Sequence, residues 1–181
     1  MAKPSRVYRR CFDLASPRPM QKKGVLEALE AIWREHSARL SGAFALNQKF
    51  GVSKNEDAKN FLRREVYVLG LALRRRPPRW NVSEFISSIR AHPTTRITAL
   101  EGQIFQALLM GVYEEDSTIS RQERWVMSRE LEYAFAHGVP PEFLCGFLYQ
   151  SGGRKNLLEK LESGFAEPAF RAELAEDGQR L

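Results

Sequence analysis

The stretch ALNQKFGVSKNEDAKNFLRR, residues 45–64, holds the choice that sets the reading of the whole chain. A short helical pattern meets Gly51-Val52-Ser53 and resumes as a basic helix. That is either a helix-turn-helix that reads DNA or an ordinary corner between two helices. Gly51 and Val52 suit the turn, and Leu46 and Phe50 suit the first helix of such a motif. The small-residue position four before the glycine holds Asn47, however, and the inward position of the second helix holds Asp57 where an apolar residue is wanted. A turn one residue longer would bring Ala58 and Phe61 inward instead. The half-match favours a helix corner leading into a basic helix; in a true motif, Lys54 and Asn55 would be the base readers.

The helix that follows is predicted over 55–76. Leu62, Val66, Leu69 and Leu73 form its core face, and Phe61, Val68 and Ala72 an adjoining strip. Pro77 and Pro78 end it, because the residue before a proline is pushed out of the helical region. Lys59, Arg63, Tyr67, Gly70 and Arg74 fall on one narrow strip away from the Leu62/Leu69/Leu73 face, expected to be solvated. A cationic strip suits a phosphate backbone, Gly70 leaves room for a phosphate or a base, and Tyr67 offers a stacking ring.

Working outward, helical spacing recurs and no strict alternation persists, so the chain reads as all-α: a compact helical bundle of about seven to eight helices. Leu26, Leu29, Trp33, His36 and Leu40 stripe a helix over 19–40, and a short helix follows at 42–50. Asn81 or Ser83 caps a helix to His92, and Thr94 or Thr95 caps one to Glu115. The latter is apolar over so much of its surface that it is placed at the centre of the fold. Ser120 with Glu123 reads as a capping box for a helix over 119–137 that Gly138 closes. Helices at 140–150, 154–163 and 167–176 complete the set, with Pro140 and Pro141 suited to the first turn of their helix. The expected organisation is a basic arm at 1–18, a basic helical unit at 19–76, a Pro/Arg linker at 77–80 and an acidic unit at 81–181, packed separately or as one domain.

Charge is the most informative property. The chain of 181 residues has a net charge of +6, unevenly spread. Residues 1–79 hold 18 Lys/Arg against 7 Asp/Glu, and residues 80–181 hold 10 against 15. Such a split points to a polyanion-binding face beside a separate acidic region, or to two halves that attract each other. Apolar content of 43% is globular, no apolar run reaches membrane-spanning length, and the N-terminus lacks a signal-type hydrophobic core. Two distant cysteines, Cys11 and Cys145, make no disulfide framework and fit a reducing cytoplasm.

These features lead to an expectation of a non-enzymatic nucleic-acid-binding protein, DNA or RNA undecided, acting as a small subunit of a nucleoprotein complex or a regulator. Phosphate contacts are assigned to Arg9, Arg10, Lys59, Arg63, Arg74, Arg75, Arg76 and Arg79, and base stacking to Tyr67 and Trp80. The acidic half would meet a protein partner or a second copy, using the 139–166 helical pair with Phe143, Phe147, Leu148 and Tyr149. The alternative is an adaptor whose basic half docks on an acidic protein without nucleic acid. Basic residues paired with Glu123, Glu130 or Glu159 would favour it. No cofactor or metal is expected, since no metal-ligand spacing, Walker loop or nucleophile elbow occurs. SGGRKN, residues 151–156, could hold one phosphate at a helix start, and the EED run at 114–116 reads as a solvated turn. Of the histidines, His36 reads as a packed core residue, His92 as a helix-end residue and His137 as a cation complementing a helix dipole.

Overall fold

A computed structural model describes residues 8–50, 55–89, 103–113 and 118–167; side chains at 42–50, 55–57 and 153–155 fall outside that description. Among the described residues there are seven helices and no strand: α1 (Lys22–Phe50), α2 (Asn55–Arg75), α3 (Val82–Ile89), α4 (Ile104–Val112), α5 (Arg121–Ala136), α6 (Leu144–Gln150) and α7 (Gly153–Glu162). No helix among them is long and apolar enough to cross a membrane.

Helix α4 lies at the centre, as its composition predicts. Phe105 and the six residues Ala107 to Val112 are all buried, and the helix packs on α1, α2, α3 and α5. Helices before and after Pro77-Pro78 feed one buried cluster: Leu29 and Ile32 from α1, Leu62 and Leu69 from α2, Ile86 from α3, Leu131 from α5 and Leu157 from α7. Burying each such side chain contributes about 1.5–3 kcal/mol.

Local chemistry sets most of the boundaries. Ser120 accepts from the Glu123 N–H while the Glu123 side chain takes the Ser120 N–H, so the capping box forms as expected. Gly138 has φ 63 and follows α5, where Val139 N–H donates to Ala134 O, closing the helix in a Schellman arrangement. Asn81 Oδ1 accepts from Ser83 N–H at 2.9 Å and Glu84 N–H at 3.2 Å, capping α3.

Other expectations are corrected. The helices expected at 19–40 and 42–50 are one unbroken helix, α1, which starts at Lys22. A single helix from 94 to 115 does not form: Gln103 is non-helical at φ −104, and Tyr113 leaves α4 in an extended conformation at φ −124. Tertiary contact explains the second departure, because extension aims the Tyr113 hydroxyl at His36. Pro140 and Pro141 lie in a turn before α6 rather than in its first turn, which opens at Leu144. The Gly51 turn with Lys54, the Asn55 side chain, His92, Thr94, Thr95, the run 114–116, the Arg154 and Lys155 side chains and the helix expected at 167–176 lie outside the described residues, apart from Glu167, which is not helical.

Two glycines separate the physical reasons for using that residue. A Cβ on Gly70 would overlap the Phe105 ring, whereas one on Gly146 would meet open space on the outer side of α6. Gly70→Ala is expected to destabilise the protein by about 1–3 kcal/mol through overpacking. Gly146→Ala should stabilise it by up to about 1 kcal/mol through helix propensity. Urea unfolding of the two variants, run side by side, checks the opposite signs.

Candidate interaction site

The strip on α2 turns inward, toward α5. Arg63 Nε donates to Glu130 at 2.9 Å, with side-chain exposures of 12% and 8%. Arg74 Nη2 donates to both Glu132 oxygens at 2.6 and 2.7 Å, and its guanidinium lies 4.1 Å from the Phe135 ring centroid. Lys59 stands 3.6 Å from Glu123 at the exposed end of the seam. Tyr67 is fully buried, stacks on Phe105 at 5.7 Å and donates its hydroxyl to Val139 O at 2.8 Å. The expectation of a solvated strip with Tyr67 free to stack on a base is therefore corrected. Helical spacing puts these residues together, but α5 and α4, not solvent, cover them.

The remaining residues singled out in the sequence divide. Arg10 makes a two-pronged contact with Glu65, at 2.6 and 2.8 Å, on the flank of α2. With Tyr8 edge-on to Phe61 at 5.0 Å, that pair holds residues 8–14 along the globule where a reaching arm is expected. Arg76 Nη1 donates to Leu14 O at 3.4 Å. Trp80 is half-buried, edge-on to Phe85, with the Lys22 ammonium 6.0 Å from its ring. Arg9, Arg75 and Arg79 are exposed, as are Arg18 and Lys23. Because Arg76 meets Leu14 and Lys22 meets Trp80, the segments 14–23 and 74–80 converge on one end of the molecule.

At that end a groove of about 450 Å³ opens between α2 and the turn after α5. Leu14, Leu71, Phe135, Val139 and Pro140 make its apolar floor, and Arg74, Arg75 and Glu142 also line it. Sequence reasoning lists Arg75 but misses the groove. Its wall comes from three separate segments, and the clues in the sequence, Pro140-Pro141 and Gly138, signal only a turn. The α6 surface splits: Phe147 and Leu148 are buried, while Phe143 and Tyr149 are 65% and 87% exposed.

Among the described residues no group of three or more His, Cys, Asp or Glu is placed to hold a metal ion. His137 is buried, sharing Nδ1 with Tyr133 O at 2.7 Å and accepting from Glu167 N–H on Nε2 at 2.9 Å. The ring thus ties the end of α5 to the backbone at Glu167. Burial raises the carboxyl of Glu132 above the usual range, and Arg74 only partly offsets it. No protein-family model, curated protein or solved structure matches this chain.

The two ends of the seam should respond differently to truncation. Arg63→Ala leaves Glu130 charged and almost enclosed, a loss of about 3–5 kcal/mol. Lys59→Ala breaks an exposed pair, a loss of about 0–1 kcal/mol. Equilibrium urea unfolding of both variants tests the contrast, and equal losses would contradict the described seam.

Proposed function

We propose that this protein is a non-enzymatic helical interaction module that docks an acidic, apolar-anchored segment of a partner protein in the groove between α2 and the 138–142 turn. The observation that carries the reading is the groove itself: an apolar floor with an exposed arginine, Arg75, at its side. Lys59, Arg63 and Arg74, which could otherwise have met a polyanion, are paired with Glu123, Glu130 and Glu132 of the same chain. The partner segment would set a leucine or aromatic side chain against Leu71, Phe135 and Val139 and a carboxylate against Arg75. Exposed Arg18 and Arg79 on the adjoining segments favour an acidic partner over a basic one.

A second reading rests on the same end of the molecule. Arg9, Arg75 and Arg79 are exposed, and a nucleic-acid backbone could use them without entering the groove.

One set of measurements tests both. Peptides selected from a display library against the protein are expected to be acidic with one bulky apolar residue. They should lose at least about tenfold in affinity on Arg75→Glu, the size of one charge-assisted contact. Lys23→Glu should leave their affinity nearly unchanged. Selected peptides indifferent to Arg75→Glu would overturn the docking reading. Labelled single- and double-stranded DNA and RNA are titrated across a salt series in parallel. Binding whose salt slope falls by about 0.7–0.9 for each of Arg75→Ala and Arg79→Ala would favour the second reading.

A further inference from the structure

Helices α5 and α7 fix the point at which the chain passes beyond the described residues. Glu167 donates its N–H to His137 Nε2 at 2.9 Å. Its Oε1 accepts from the Tyr133 hydroxyl at 3.1 Å and from the Lys160 ammonium at 2.6 Å. These bonds hold Glu167 against the C-terminal end of α5. The groove begins one residue on from His137, because Gly138, Val139 and Pro140 line it. Phe135, which also lines it, and His137 stand about 200° apart on a helix, so Glu167 and the groove lie on opposite flanks of the end of α5. The way between them passes Gly138, where a Cβ would meet open space. Crossing one helix width takes about 10–12 Å.

The segment that follows, PAFRAELAEDGQRL (residues 168–181), has the chemistry that suits the groove. Leu174 is flanked by Glu173, Glu176 and Asp177, with no cation between residues 172 and 177. Leu174 lies seven residues beyond Glu167. That length spans at most about 25 Å, more than the crossing requires. Order along the chain also matches. Arg171 comes first and would meet Glu142 on the turn, whereas the carboxylates come later and would meet the exposed Arg75 on α2. Other stretches outside the described residues lack this combination. Residues 1–7 and 51–54 hold no acid, 90–102 hold two arginines against one acid, and 114–117 hold no apolar side chain.

We propose that residues 168–181 of this chain occupy the groove in the free protein, with Leu174 against Leu71, Phe135 and Val139 and the Glu173 and Glu176 carboxylates toward Arg75. The inference rests on the reading of the groove as a site for acidic, apolar-anchored segments, and it adds regulation: a partner segment must displace one of the chain's own. A segment tethered this closely meets the groove at an effective concentration on the order of 1 mM. With a Kd of its own of about 0.1 mM, it lowers a competitor's apparent affinity about tenfold.

The test is NMR of the full chain with labelled leucine and valine methyl groups. Through-space contacts are expected from the Leu174 methyls to those of Leu71 and Val139, independent of protein concentration. Leu174→Ser should abolish them, shift the Leu71 and Val139 methyls, and raise the affinity of the acidic library-selected peptides about tenfold. Two results would overturn the inference while those peptides still depend on Arg75, and so leave the groove reading standing. One is the absence of any contact between Leu174 and the groove. The other is an affinity unchanged in Leu174→Ser. Contacts found only between differently labelled copies would overturn it too, since the segment would then sit on a second molecule. Peptides indifferent to Arg75→Glu, together with no Leu174 contact, would sink both readings.

Discussion

The grip of two α2 arginines on opposite flanks of α5 is the constraint on which the rest of the arrangement hangs. Glu130 and Glu132 are two residues apart on α5, which on a helix turns them about 200° from each other. Arg63 takes the first and Arg74 the second, so α5 is held from two sides and cannot rotate about its axis. Removing such charges from water costs about as much as their attraction returns, so the pairs add little net stability. Their effect is on register. With α5 fixed, the turn after it brings Val139 O to the Tyr67 hydroxyl, and Phe105 of α4 packs close against Gly70 and beside Arg74. The groove follows from that geometry, because Leu71 and Arg75 on α2 are left lining a gap with Phe135, Val139 and Pro140 that no other described helix fills.

This seam also explains where sequence reading succeeds and where it stops. Features decided by a few neighbouring residues were legible: the Ser120/Glu123 box, the Gly138 stop, the Asn81 cap and the central position of the apolar α4. Features decided by distant partners were not. Periodicity gathers Lys59, Arg63, Tyr67 and Arg74 onto one strip, but says nothing of what covers it. A charged strip is ordinarily solvated, so the reading placed it outward. One signal pointed the other way. A glycine in the middle of a long helix costs about 1 kcal/mol against alanine, and position 70 therefore implied a close approach. A ring fills that space rather than a phosphate. The C-terminal end of α4 was missed for the same reason, since Tyr113 leaves the helix to reach His36, 77 residues away in sequence.

The candidate site was legible in part. The charge split between the two halves was real, and it is met in part by pairing across them at Lys59, Arg63 and Arg74. Arg75 was on the list of contact residues, but for its charge alone. The apolar floor beside it draws on residues 14, 71, 135 and 139, and no spacing rule connects these.

Ion pairing consumes charge in equal amounts of each sign, so a chain with a net charge of +6 must carry its surplus on residues outside such pairs. Exposed cations here include Arg18, Arg75 and Arg79, in the two segments that the Arg76–Leu14 and Lys22–Trp80 contacts draw together. A polyanion would use that charge but would gain nothing from an apolar floor, because phosphates and sugars stay hydrated and Tyr67, the ring nearest the groove from α2, is locked to Val139. An acidic segment with one bulky apolar side chain uses both features at once. Desolvating that side chain against Leu71, Phe135 and Val139 supplies affinity, and the carboxylate against Arg75 supplies orientation. The coincidence of charge and apolar floor in one place, rather than the amount of charge, is what favours a protein partner over a nucleic acid.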